Sequence, residues 1–250
     1  MKNKKQTLLR ILSVATALCI WQGAAVIMDR KLLLCAPTDV LKRLPELMAE
    51  PDFFTTVTFS FSRIVLGFLL AFLAGLLLGL LAGRFKAAEI FLWPYMITVR
   101  TVPVASFIIL SLVFLSGSQL SVFIAFLMVL PVIYSNVLEG VKNADGQLLE
   151  MARLFHVPYY RRLGYILLPS VKPFLLSGSR AALGLCWKAG IAAEVIAVAR
   201  GSIGEKLYDA KVYFTTVDLL AWTVILVIIS VLFEKLFVWV LKKAYALWER

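Results

Sequence analysis

The segment FSFSRIVLGFLLAFLAGLLLGLLA, Phe59 to Ala82, constrains the chain more than any other. Arg63 is its one charge and it holds no proline. It also exceeds the roughly 20 residues that an α-helix needs to cross the hydrocarbon of a bilayer. Inside hydrocarbon every backbone N–H and C=O must be satisfied by the segment itself, so such a run is expected to be helical. Comparable runs recur at Leu8 to Met28, Thr101 to Leu115, Leu120 to Val141, Phe174 to Ala199 and Val217 to Leu241, which makes six expected spans. The first follows Lys2, Lys4 and Lys5, is too long for the core of a secretory signal and has no convincing A-x-A cleavage site, so it reads as a retained span. Trp93, Pro94 and Pro103 interrupt the approach to the third, and a short helix lying in the membrane interface at Ala88 to Val99 would account for them. With 61% hydrophobic residues and a mean hydropathy of +0.89, the chain has more apolar surface than one soluble domain could bury. The expected fold class is an all-α integral membrane protein.

A formal net charge of +11 can signal nucleic acid. Here the basic residues lie between the apolar runs and form no patch interleaved with aromatics, which argues against that partner. Their distribution instead sets an orientation. With the amino terminus in the cytoplasm, the inner segments hold Lys2, Lys4, Lys5, Arg10, Arg84, Lys86, Lys142, Arg153, Arg161, Arg162, Lys172, Lys242, Lys243 and Arg250. The outer ones hold Arg30, Lys31, Lys42, Arg43, Arg200, Lys206 and Lys211, so both termini are expected inside. Residues 29–52, with Pro37, Pro45 and Pro51 and short helical stretches around Val40 to Met48, read as an ordered surface on the outer side.

The three cysteines lie apart, two of them in apolar runs, and there is one histidine, so neither a disulfide framework nor a metal site is implied. No G-x-x-x-x-G-K-[ST] loop and no H-E-x-x-H occurs, and no nucleophile with a base stands at a plausible depth. No catalytic and no metal-ligating residue is assigned.

One long stretch contradicts the apolar pattern. EMARLFHVPYYRRLGYILLP, Glu150 to Pro169, falls in the largest expected cytoplasmic loop, residues 142–170. Asp145 can cap a helix in which Leu148, Met151, Ala152 and Phe155 recur at i, i+3, i+4 and i+7, forming an apolar face that needs a partner. Pro158 suits the start of a second, short helix with Tyr159, Tyr160, Arg161 and Arg162. Such a hairpin can lie on the anionic inner leaflet with its arginines on phosphate, or it can dock a cytoplasmic protein.

The loop resembles that of the permease subunit of binding-protein-dependent ABC importers, whose pattern is E-A-A, three residues, G, nine residues, I-x-L-P. Glu150, Met151, Ala152, His156, Ile166, Leu168 and Pro169 stand in that register, with Met151 and His156 departing from it. Glycine at the position of His156 would suit a left-handed helix cap, and His is among the residues enriched at positive φ. The segments TVPVASFIILSLVFLSG, LSGSRAALGLCWKAGIAAEVIA and GSIGEKLYDAKVYFTTVDLLAWT are similar to stretches of the nitrate, sulfonate and taurine branch. The resemblance implies a type I importer-like domain over residues 59–250, preceded at 1–58 by a helix and outer loop. It also implies a homodimer in the bacterial cytoplasmic membrane, an ATP-binding subunit that carries ATP and Mg, and an extracytoplasmic substrate-binding protein. No cofactor is then needed on this chain. Each hairpin would seat in a cleft of the ATPase, burying Phe155, Tyr159 and Tyr160 and placing Glu150, Arg153, Arg161 and Arg162 at the rim, with Pro169 breaking the chain before span five. The implied substrate is a small anion (sulfonate, taurine or nitrate-like) or a vitamin or pyrimidine precursor.

Polar residues within the spans are the pathway candidates: Lys188, Glu194, Ser106 and Ser111. A charge at the bilayer centre costs at least about 2.5 kcal/mol, so Lys188 and Glu194 should face the bundle interior, a partner or water. Six residues apart, they lie on different helix faces and should not pair. Lys188 can give the pathway a positive character suited to an anion, or pair within a dimer. Glu194 fits packing or gating as well as substrate contact, and the serines can line the pathway or bond their own helices. Arg63, Arg100 and Arg180 read as interface or snorkelling residues, and Trp222, Trp239, Tyr245 and Trp248 as interfacial anchors. Gly67, Gly75, Gly79 and Gly83 have the spacing of a close helix seam. A self-contained channel or secondary transporter, the competing reading, would need an internal repeat or a pair of broken helices, and the sequence suggests neither.

Overall fold

The protein was analysed as a computed structural model, which describes residues 2–28 and 34–248. The side chains of Lys2, Lys4, Lys5 and Arg10, and the residues Arg30, Lys31 and Arg250, lie outside that description. Among the described residues every regular element is helical. In chain order these are α1 (Lys2–Met28), α2 (Pro37–Ala49), α3 (Phe53–Arg84), α4 (Lys86–Thr101), α5 (Val104–Ser111), α6 (Gly117–Lys142), α7 (Gly146–Leu154), α8 (Tyr159–Arg162), a π-helical turn (Leu163–Leu167), α9 (Leu168–Ala197), α10 (Ile203–Val212) and α11 (Thr216–Trp248).

Among the described residues three helices, α3, α6 and α11, are long and apolar enough to cross a membrane. With 30 residues α9 has the length, but Lys172, Arg180, Lys188 and Glu194 take it out of that class. The expected third span is not one straight helix. The α4–α5 pair passes the same test only as a unit, and it is bent by 97°. Pro103 caps α5, and Val102 before it is extended, as a residue preceding proline tends to be. The eight residues of α5 extend about 12 Å, well short of a bilayer core. The interruption expected from Pro103 is thus a break between two helices, and the described residues contain no second broken pair to match it.

The core is α6 sandwiched between α3 and α9. Along α3 the glycines form the expected seam: a Cβ on Gly67 would stand 2.5 Å from the Val122 carbonyl oxygen, and one on Gly79 2.7 Å from Val137 Cβ. At one end of the bundle α2 and α10 cover the first turns of α3 and α11. Arg43 there donates to Asp218 at 2.6 Å and to Glu50 at 2.9 Å, and Lys206 reaches Asp52 at 2.5 Å. Lys206 holds the Asp52 carboxyl below its ordinary range, chiefly through that hydrogen bond. At the opposite end lies the hairpin of α7 and α8.

Candidate functional site

The hairpin follows from its sequence in detail. The Asp145 carboxylate accepts from the Gln147 and Leu148 amides at 2.8 and 3.5 Å, capping α7. At the other end His156 has φ +50, while its N–H donates to Arg153 O at 3.0 Å and that of Val157 to Ala152 O at 2.9 Å. These two bonds define a Schellman cap, with histidine where glycine is usual.

The expected apolar face is divided. Ala152 is buried against the bundle, whereas Met151 and Leu148 are exposed, and Leu154 and Phe155 are 79% and 76% exposed at the tip. The aromatic pair is divided too. Tyr160 projects outward, but Tyr159 lies under the Arg84 guanidinium, 3.8 Å from its ring centroid, and so packs within this chain instead of waiting for a cleft. Glu150, Arg153 and Arg161 are exposed, and Arg162 is half-buried.

Pro169 does not break the chain. Helical backbone runs from Tyr159 to Ala197, and the discontinuity is the π turn just before the proline, where the Leu168 N–H donates to Leu163 O. A proline crowds the carbonyl four residues earlier and offers it no N–H. The widened turn, which contains Ile166, accommodates that defect within continuous helical backbone. Trp248 closes it from α11, its indole N–H on Gly164 O at 3.3 Å.

In the membrane region the candidates separate. Lys188 is exposed on α9, on the stripe formed with Ser177, Ala181 and Gly184, and among the described residues it has no hydrogen bond or ion pair. A Cβ on Gly184 would meet nothing within 4 Å, so this face is open in the single chain. Glu194 is fully buried, accepting from Ser60 Oγ at 2.6 Å and more weakly from the Gly204 amide at 3.4 Å. Ser60 in turn accepts from the Ile203 amide at 2.9 Å, so one hydroxyl and one carboxylate tie α3 and α9 to the start of α10. Sequence reasoning missed Ser60, which no spacing links to Glu194. Arg63, one turn further along α3, stacks on Phe59 at 3.2 Å, ten residues into the helix. Arg100 donates to Pro131 O at 3.1 Å and to the Ser135 hydroxyl on α6, and Arg180 is exposed. Ser106 is exposed on α5, but Ser111 is buried. Trp222 is buried and stacked on Phe53, so it belongs to the core and is no anchor. Tyr245 is buried as well, whereas Trp239 is exposed beside Lys243.

Among its described residues the chain is all-helical, and its hairpin displays apolar side chains away from the bundle. It belongs to the family described as binding-protein-dependent transport system inner membrane component, which it matches over residues 71–243. It is thus the permease subunit of an ABC importer, a multi-pass inner-membrane protein and no enzyme. Its partners are a separate ATP-binding subunit and a substrate-binding protein. The chain is 29% identical to SsuC of Bacillus subtilis, named for aliphatic sulfonates transport, over 96% of this chain and 87% of that one. It is 26% identical to the taurine transport system permease protein TauC of Escherichia coli, over 92% and 86%. With the nitrate import permease protein NrtB of Synechococcus elongatus it shares 30% over 62% and 55%.

Proposed function

We propose that this permease carries a small oxyanion, of the sulfonate, taurine or nitrate kind, along a pathway that two copies of the chain form between them. Lys188 carries the reading. It is an uncompensated cation well inside α9, on a stripe of small residues that nothing in the single chain covers. Facing lipid it would cost about 2.5–3.5 kcal/mol, whereas facing a partner copy or a water-filled path it offers a counter-charge to an anion. Relatives named for sulfonates, taurine and nitrate support that charge. A vitamin or pyrimidine precursor is the second class of substrate. Exposed Ser106 is a further candidate for the path.

In this reading six spans form from α1, α3, the α4–α5 pair, α6, α9 and α11, with both termini in the cytoplasm. Residues 59–250 make the transport domain and residues 1–58 an accessory helix and outer surface. The hairpin seats in the ATPase by Met151, Phe155 and Tyr160, with Glu150, Arg153 and Arg161 at the rim. Its movement passes through the continuous helical backbone of α8, the π turn and α9. ATP and Mg act on the partner, and this chain takes no cofactor and no nucleic acid.

The test is uptake by the transporter reconstituted with its ATPase and binding protein. Lys188→Met should lower anion uptake about tenfold, the effect of roughly 1.4 kcal/mol, and Lys188→Arg should retain most of it. Unchanged rate and selectivity in Lys188→Met would end the proposal.

A further inference from the structure

Beneath the hairpin, where its two helices meet the ends of α3 and α6, lies a cleft of about 280 Å³. Arg84, Arg153 and Arg162 line it together with Tyr159, Val141 and Leu149. Among the described residues none of the three arginines forms an ion pair, and the cleft wall holds no carboxylate. Arg162 Nε is buried with no hydrogen-bond partner. Three guanidinium groups gathered in one hollow repel one another, and a buried donor without an acceptor loses its hydration with no return. An arrangement of this kind is relieved by an anion that accepts from several donors at once, and the planar guanidinium matches a phosphate in two-pronged fashion.

The position of the cleft narrows the choice of anion. Gly83 and Arg84 line it, and they end the apolar run of α3, so the cleft sits at the depth where hydrocarbon gives way to headgroups. Val141 and Leu149 supply an apolar wall beside the charges, as a glycerophosphate with its first methylenes would need. A water requires only about 10–15 Å³ of such space, so the hollow admits a phosphate together with part of its hydration. The tip of the hairpin, Leu154 and Phe155, is not part of this wall and stays free for another partner.

We infer that Arg84, Arg153 and Arg162 form a binding site for the phosphate of an anionic phospholipid of the inner leaflet, held between the hairpin and the bundle. The lipid bridges α3, α7 and α8 and sets the angle at which the hairpin leaves the membrane. The site does not depend on which substrate is carried, and of the residues proposed to meet the ATPase it shares Arg153 alone.

The assembled transporter, placed in nanodiscs of equimolar phosphatidylglycerol and phosphatidylcholine and then released into detergent, can be weighed intact by native mass spectrometry. The wild type should retain phosphatidylglycerol over phosphatidylcholine by at least about tenfold per chain, since several basic groups act together on one anionic headgroup. Arg153→Gln with Arg162→Gln should abolish that preference. Should the pair fail to assemble, Arg162→Lys, which keeps the charge but loses the fork, should reduce the preference severalfold in an intact complex. Equal retention in wild type and an assembled variant would overturn the site. So would occupancy by inorganic phosphate that phosphatidylglycerol does not displace, which would assign the arginines to a free anion.

Discussion

Val198 and His156 end their helices in the same left-handed geometry, φ +47 and φ +50, but at different cost. Histidine is among the residues that tolerate this region, whereas a β-branched valine there is strained by about 1–3 kcal/mol. Val198→Gly should therefore raise the thermal midpoint of the detergent-purified protein by a few degrees, and His156→Gly should change it little; scanning fluorimetry of both checks the contrast. Glycine at the family position signals the left-handed cap, so the geometry of His156 is legible from the sequence pattern. No such pattern marks Val198. Asp52 allows a test against pH. Because Lys206 lowers its folded pKa, the pair's contribution is fully present above the unfolded value near 3.8 and is lost as pH falls through the folded one. Both groups are partly exposed, which limits the effect to about 0–1 kcal/mol. The gap in thermal midpoint between wild type and Asp52→Asn should be small and constant above about pH 5 and close in more acid solution. A gap that widened in acid would mean that the Asp52 carboxylate is repelled in the folded state instead of held.

Among the elements, α3 and α9 carry glycines with opposite surroundings. Gly67 lies against the backbone of α6, where a side chain would meet a carbonyl oxygen at 2.5 Å, and Gly184 faces open space. Gly67→Leu should force the helices apart and abolish the folded peak in size-exclusion chromatography. Gly184→Leu should leave each chain folded but weaken pairing of two copies, measurable as loss of in-membrane crosslinking between cysteines introduced along the stripe at Ser177 and Ala181. The seam of α3 was readable because its spacing of small residues recurs over several turns. The bend between α4 and α5 was only half readable. Pro103 announces a break but not its 97° angle, which is settled by packing against α6 and α9. The π turn left no local signal beyond Pro169, since a widened turn and a kink both answer the same missing N–H. Likewise the link from Ser60 to Glu194 joins residues 134 positions apart, and nothing periodic connects them.

For the molecule as a whole, the proposed coupling requires that work done on the hairpin reach the membrane along a path stiff enough to carry it. The bundle end of the hairpin is fixed by Ala152 in the core, Tyr159 under Arg84 and Trp248 on Gly164, and from Tyr159 onward the backbone stays helical into α9, which bears Lys188. The tip is free, with Leu154 and Phe155 largely exposed. An apolar tip on an anchored stem is the shape that the proposed docking on the ATPase needs. A charge placed at the tip should therefore uncouple the transporter without unfolding it. Phe155→Asp should leave expression, membrane insertion and thermal midpoint unchanged, because that side chain has few neighbours to lose. It should also lower copurification of the ATPase subunit and reduce ATP-dependent uptake at least about tenfold, as loss of a central aromatic contact does in other interfaces. Ala152→Asp, by contrast, should destabilise the chain itself, since it buries a carboxylate in the stem. If Phe155→Asp bound the ATPase and transported at the normal rate, the tip would not be the coupling surface, and the drive would have to enter through the rim charges Glu150 and Arg161.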